Sequence, residues 1–126
     1  MTKEIRDDLK YTDAHEWLKI IDNTAIIGIT DYAQSELTDI VFAELPEVGK
    51  ELIKGDELCV VESVKSVSEI YAPISGKVVR INEKLEDTPE MINESPYDDG
   101  WLVELEIKNK RELEDLLDAG SYKKRI

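Results

Sequence analysis

The feature that most limits how this chain can fold is a spaced near-repeat. Gly49-Lys50-Glu51-Leu52-Ile53-Lys54-Gly55-Asp56-Glu57-Leu58 is echoed by Gly76-Lys77-Val78-Val79-Arg80-Ile81-Asn82-Glu83-Lys84-Leu85. Both copies open on Gly-Lys, carry an acidic residue at the eighth place and close on Leu. The seventh place is Gly55 in one and Asn82 in the other, the two residue types that most readily take a positive φ. A sandwich of two similar halves would produce this pattern, and two chance Gly-Lys pairs would produce part of it. The segment between the copies then becomes the hairpin that joins the halves, and Lys65 falls near its middle.

The rest of the chain reads as short strands broken by turns. Trp17 to Ile21 and Ala25 to Ile29 flank Asp22-Asn23-Thr24 and predict a hairpin. Thr30 is placed to N-cap a short helix over Asp31 to Leu37, because its hydroxyl can accept from the free donors of the first turn. Ile40 to Leu45 is strand-like and stops at Pro46, which has no N–H for a ladder. Leu58 to Val64, Val67 to Ala72 and Lys77 to Ile81 are three further strands, whereas Thr88 to Gly100 reads as a long ordered loop or short helix. Trp101, Val103, Leu105 and Ile107 alternate, predicting a half-buried strand with all four on one face. Asn109 with Glu112 three places on resembles a capping box, Leu113, Leu116 and Leu117 form an apolar stripe, and Gly120 is placed to end it. A C-terminal helix over about 110–119, packed on the sheet, follows. All 126 residues fit one domain.

Charge excludes one class of partner. With 16 basic against 29 acidic residues, the net charge of −13 opposes nucleic acid, whose binding rests on neutralising phosphates. Such a field either keeps the protein dispersed or steers it to basic partner surfaces. One cysteine, Cys59, permits no intramolecular disulfide and no cysteine-rich metal site, and its neighbours Leu58, Val60 and Val61 predict that it packs as a small hydrophobe. No apolar run approaches the roughly 20 residues that span a bilayer. The stretch Met1-Thr2-Lys3-Glu4-Ile5-Arg6-Asp7-Asp8 is too polar for a signal peptide and too acidic for a transit peptide. A cytoplasmic protein is expected, or a mitochondrial one if a leader has been removed.

Lys65 differs from the other lysines by its setting. Val60, Val61, Val64, Val67 and Ile70 surround one cation, which is out of place within a flat strand but natural at a hairpin tip. A tip holds the amine in water where a modifying enzyme can reach it, and acylation there removes the charge. His15 is the only histidine, so a Ser/His or Cys/His arrangement has a single candidate base. Its neighbour Trp17 favours a structural hydrogen-bonding role. With no Gly-rich phosphate loop, His-x-x-x-His or Cys-x-x-Cys in the chain, no catalytic residue and no metal ligand is assigned.

Seven ordered segments carry a resemblance. Glu62-Ser63-Val64-Lys65-Ser66 resembles the lipoylation site of the H proteins of the glycine cleavage system. Tyr11-Thr12-Asp13-Ala14-His15-Glu16-Trp17, Gly28-Ile29-Thr30-Asp31-Tyr32-Ala33-Gln34 and Asp39-Ile40-Val41-Phe42-Ala43-Glu44-Leu45-Pro46-Glu47-Val48-Gly49 are similar to that family in its order. So are Tyr71-Ala72-Pro73-Ile74-Ser75-Gly76, Asn93-Glu94-Ser95-Pro96-Tyr97 and Gly100-Trp101. Biotin carriers flank their lysine with methionines, and lipoyl domains of 2-oxo acid dehydrogenases usually place Asp before it; here Val64 and Ser66 stand there. An adaptor of the same fold with an unmodified lysine hairpin is the non-carrier alternative. Three departures from the family pattern stand out. Thr38 replaces the usual Gly before Asp39-Ile40-Val41, Ala14 stands where some relatives have serine, and Glu69 where some have aspartate.

The resemblance implies a mostly β barrel-sandwich hybrid of the lipoyl and biotinyl kind: two small antiparallel sheets in quasi-two-fold halves, short helices and a C-terminal helix. It implies lipoate bound covalently to Lys65 within Glu62, Ser63, Val64 and Ser66, on a monomeric carrier with no active site of its own. The arm would take the aminomethyl group of glycine from a pyridoxal-phosphate glycine decarboxylase to a tetrahydrofolate-dependent aminomethyltransferase. Dihydrolipoamide dehydrogenase would then reoxidise it, and a lipoate-attaching enzyme would install it. The resemblance also places a shelter for the loaded arm near His15-Glu16-Trp17, an acidic group beside an aromatic wall, with His15, Glu16 and Glu69 as the contacts.

Overall fold

The turn at Asp22-Asn23 sets up the first sheet. Asp22 takes φ 54°, which an Asp tolerates, and Ile21 pairs directly with Thr24 across it. Strands β2 (Glu16–Ile21) and β3 (Thr24–Ile29) are thereby locked in register, with Trp17 opposite Gly28. The Trp17 ring lies over that glycine so closely that a Cβ there would come within 2.6 Å of it, and the indole Nε1 donates to Pro96 O at 2.9 Å. A computed structural model describes residues 3–126. Met1 and Thr2, the first residues of the polar stretch read above, lie outside the described residues.

Two antiparallel sheets form. The larger has the order β1 (Lys10–Tyr11), β2, β3, β9 (Val103–Ile107), β8 (Gly76–Ile81), β5 (Glu51–Leu52). The smaller has the order β4 (Ile40–Glu44), β6 (Glu57–Ser63), β7 (Val67–Tyr71). One apolar core takes side chains from both, among them Leu18, Ile27, Ile40, Val61, Ile70 and Val78, each buried. Cys59 is in that core, 4% exposed, and burial drives its thiol pKa far up, as a packed small hydrophobe requires. A second cluster, built on Tyr11, Trp17, Tyr97 and Tyr122, closes the outer side of β2.

The near-repeat becomes a pairing of its two copies with each other. Glu51 faces Lys77 and Leu52 faces Gly76, while Val78 N donates to Lys50 O at 2.9 Å. A two-fold rotation that exchanges the copies carries the Glu51–Lys77 pair onto the Val78–Lys50 pair. The seventh place behaves differently in the two halves, however. Gly55 takes φ +96°, but Asn82 is not among the positive-φ residues. Asn82 is instead buried, and its side-chain Nδ2 donates to Asp99 O and Trp101 O, both at 2.8 Å. Satisfying the buried Asn82 amide with those two carbonyls outweighs any turn role.

Helix α1 (Asp31–Leu37) starts where its cap predicts, Thr30 Oγ1 accepting from Ala33 N at 3.2 Å. The Thr88–Gly100 stretch contains one helical turn, α3 (Met91–Glu94), preceded by another, α2 (Lys84–Asp87). Two expectations are corrected. The alternation does not extend back to Trp101: Leu102 and Val103 are both fully buried in the main core, and Trp101 sits on the second cluster with the Arg80 guanidinium 4.4 Å above its ring. The helix expected over 110–119 is broken. Lys110–Asp115 is a 3₁₀ helix, and a separate α4 runs over Ala119–Lys123, with Gly120 inside it. Leu117 between them pairs its backbone with Tyr11 in both directions at 2.8 Å, which no continuous helix permits. Glu112 does not close a capping box either, because its carboxylate accepts from Ser75 N (2.7 Å) and Ser75 Oγ (3.0 Å).

Candidate functional site

Lys65 stands at the tip of the β6–β7 hairpin, exposed to solvent. Ser63, the last residue of β6 and buried, organises that tip. Its Oγ accepts from Lys65 N (3.2 Å) and Ser66 N (3.1 Å) and donates to Ser66 O (3.2 Å), while its own N donates to Ser66 O (2.8 Å). A serine hydroxyl can bond neighbouring backbone in this way without a longer turn sequence. The preceding residue is tied down from outside the hairpin, Val64 N donating to Asp39 O at 3.0 Å. The backbone of the tip is thus fixed and the lysine side chain is free. Among the described residues Lys65 joins no ion pair.

The surface around the tip is apolar and acidic. Cross-strand register puts Phe42, Glu62 and Val67 in one row on the outer face of the small sheet and Glu44, Val60 and Glu69 in the next. Phe42, Val64 and Val67 are 48%, 66% and 63% exposed, which is a cost in water that contact with another protein would remove.

Behind the returning strand β7 lies a cleft of about 430 Å³ that brings His15, Glu16 and Glu69 together. Glu69 is four residues beyond Lys65, about 13 Å along a strand. Glu16 is only 4% exposed, and burial raises its carboxyl pKa to about 7, opposed by the Thr12 hydroxyl, which donates at 3.0 Å, and by the Tyr71 backbone. Glu69 is exposed and accepts from the Tyr71 hydroxyl at 2.5 Å. His15 takes φ 67°, packs against Tyr32 with ring centroids 4.6 Å apart and the planes tilted by 36°, and sets Nδ1 2.9 Å from the Tyr122 hydroxyl. Burial lowers its pKa, so the imidazole is neutral at pH 7. The Tyr122 hydroxyl lies in turn 2.7 Å from Thr30 Oγ1, which links this histidine to the cap of α1.

The aromatic wall is not Trp17. That indole is buried under the second cluster, and the cleft is walled by Tyr32 and Tyr71, with Ile29, Ala33 and Leu37 as apolar floor. Glu16 and Trp17 are adjacent on β2 and their side chains point to opposite faces, Trp17 away from the cleft. The same period, two residues from Glu69 to Tyr71, was the available signal for Tyr71. Tyr32 and Ser68 gave no signal in the sequence, because they come to line one cleft only once α1 and β7 are both seated on the main core. Ala14, one of the departures, lines the cleft as well.

Comparison with known proteins agrees with this geometry. The glycine cleavage H-protein family profile matches residues 9–126. The glycine cleavage system H proteins of Staphylococcus haemolyticus and Staphylococcus epidermidis are each 57% identical over 122 residues, covering 97% of either chain. A crystal structure of a glycine cleavage system H protein from Mycobacterium marinum superposes with a TM-score of 0.86 at 36% identity, over 96% of this chain and 98% of that one. With a tip lysine, a barrel-sandwich of two antiparallel sheets and relatives matched over almost their whole length, the chain belongs to the glycine cleavage H-protein family.

Proposed function

We propose that Lys65 is the lysine that carries lipoate in this chain, and that its arm folds back into the cleft of His15, Glu16 and Glu69 between visits to partners. As an H protein the chain is a non-catalytic lipoyl carrier. Its partners are the glycine decarboxylase, the aminomethyltransferase, dihydrolipoamide dehydrogenase and the enzyme that attaches lipoate. When bound, lipoate would supply a disulfide that takes up the aminomethyl group of glycine, whose carbon passes to tetrahydrofolate while its nitrogen leaves as ammonia. The attachment rests on one observation: a solvent-exposed lysine at a tip whose backbone is fixed by Ser63 and Asp39. The bacterial relatives favour the cytoplasm as its compartment, and no helix among the described residues is long and apolar enough to cross a membrane. We take residues 1–126 as one carrier domain.

The cleft fits an apolar arm that ends in a cation. Ile29, Ala33 and Leu37 would cover the aliphatic part, and Glu16 and Glu69 would face the amine. A cation beside Glu16 opposes the effect of burial and restores its ionised form, so carboxylate and amine stabilise one another's charge. Excluding water from that amine slows hydrolytic loss of ammonia. Ser63, Val64 and Ser66 shape the tip, and Glu62 lies on its outer face beside Phe42 and Val67.

Lys65→Arg tests the attachment, since arginine keeps the charge but takes no acyl group. The variant is expected to show no lipoyl mass increment and no glycine–bicarbonate exchange; exchange at the wild-type rate, or an unmodified wild-type chain from a lipoate-replete host, overturns the reading. For the shelter, the loaded protein is freed of decarboxylase and ammonia release is timed. Glu16→Gln and Glu69→Gln should each release it roughly tenfold faster or more, from a charge-assisted bond of about 1.5–3 kcal/mol. Equal rates in all three proteins place the shelter elsewhere.

A further inference from the structure

We propose that Asn93 is the positioning residue of the Lys65 tip, a role that rests on reading Lys65 as the attachment site. Asn93 is far from Lys65 in sequence and touches neither the lysine nor the cleft just described. Its side chain clamps the link between α1 and β4. Nδ2 donates to Thr38 O at 2.8 Å and Oδ1 accepts from Ile40 N at 2.9 Å, so one amide grips the backbone on either side of Asp39. A further bond from Nδ2 to Gln34 Oε1 at 3.0 Å anchors the amide to α1.

Geometry carries the clamp to the lysine. Asp39 O and Ile40 N belong to one planar trans peptide unit, in which the carbonyl and the N–H point opposite ways. With Ile40 N–H held by Asn93, Asp39 O therefore points away from that amide, where it accepts from Val64 N at 3.0 Å. Val64 is the residue before Lys65. Within the hairpin the tip is held by Ser63 alone, on the side after the lysine as well as at its own N–H. The Asp39 contact is the tip's hold on the rest of the fold, and Asn93 sets where it lies. β4 is also the edge of its sheet, and Asn93 occupies its free edge at Ile40, where an unpaired N–H would otherwise face solvent.

The clamp matters because link 38–39 is under strain. Thr38 has φ 65° and ψ −151°, a region that glycine occupies freely and a β-branched residue does not. Without the amide, the link can relax toward an ordinary conformation and swing Asp39 O off Val64 N. Attachment of lipoate requires the Lys65 amine, once it has lost a proton, to attack the acyl carbon of a lipoyl adenylate. The amide bond forms, the acyl–phosphate bond breaks and AMP leaves. The exposed outer face of the small sheet, which we take as the docking face for the attaching enzyme, is untouched by the clamp. Its loss therefore lowers kcat, through misplacement of the amine, and leaves KM near its original value.

The experiment uses the full apo chain with lipoate, Mg-ATP and the lipoate-attaching enzyme, and follows intact and peptide mass. Asn93→Ala is expected to lower kcat on the order of 10–100-fold with KM nearly unchanged. In hydrogen exchange the Val64 amide should become at least roughly tenfold less protected, while the Val61 amide in the middle of β6 keeps its protection. Asn93→Asp has the same size and keeps the acceptor for Ile40 N, which guards against loss of the fold; lacking the donor to Thr38 O, it should behave like Asn93→Ala. Gln34→Ala removes the anchoring bond, along with the bond Gln34 makes to Asp31 within α1, and should load at the wild-type rate. Unchanged kcat in Asn93→Ala with unchanged Val64 exchange overturns the proposal, as does full rescue by Asn93→Asp. A wild-type increment on a lysine other than Lys65 overturns the attachment reading and this proposal with it, so the two failures are told apart by the modified peptide.

Discussion

Glu16→Gln tests the cleft without any arm attached. Glu16 is 4% exposed, and burial holds its carboxyl pKa at about 7 against an ordinary 4.5. In the unfolded chain the same group has its ordinary value. Between those two pH values the folded state binds the extra proton, so stability falls as pH rises. Below 4.5 both states are protonated and the term vanishes; above 7 both are ionised and the whole cost of the buried charge is present. A shift from 4.5 to about 7, at 1.36 kcal/mol per pH unit, makes that cost about 3 kcal/mol. Glutamine is isosteric, still accepts from the Thr12 hydroxyl and does not titrate. The difference in unfolding free energy, Glu16→Gln minus wild type, should therefore grow by about 3 kcal/mol from pH 4.5 to pH 7 and then level off. Urea denaturation of both proteins at half-unit steps from pH 4 to pH 8.5 measures it, and a carboxyl ¹³C titration of Glu16 checks the midpoint. A difference that does not change with pH refutes the reasoning, because it leaves Glu16 with the same pKa folded and unfolded.

Two further outcomes follow from other parts of the fold. Thr38→Gly should stabilise the protein by about 1 kcal/mol, the strain of roughly 1–3 kcal/mol released less the entropy glycine adds to the unfolded chain. That raises Tm by roughly 3–5 °C, and a lower Tm would show that Thr38 is not strained. Association with the decarboxylase and the aminomethyltransferase should slow as salt rises from low to physiological strength, since Glu44, Glu62 and Glu69 line the face around the lysine. Stopped-flow on-rates that ignore salt would leave the net charge of −13 a matter of dispersal alone.

Wherever the governing interaction is local, the chain states its own structure. The Asp22-Asn23 turn, the Thr30 cap and the Val-rich strands on either side of Lys65 need only period and turn chemistry, and each forms where those place it. The near-repeat goes further, because its two copies pair with each other, Glu51 with Lys77 and Leu52 with Gly76. Thr38 is legible in part: a glycine expected before Asp39 signals positive φ, and the threonine takes φ 65° there. Long-range hydrogen bonding decides the rest. Asn82 fits a turn by type but serves two distant carbonyls, and the apolar stripe after Asn109 fits a helix until Leu117 pairs with Tyr11. The same holds in the cleft. Strand period separates Glu16 from Trp17, yet the replacement of that indole by Tyr32 and Tyr71 depends on where α1 and β7 come to rest on the core. Residue type and spacing thus determined the family, the hairpin and its lysine; the partner of each buried polar group was decided only when distant segments met, because a donor takes the acceptor that folding leaves beside it.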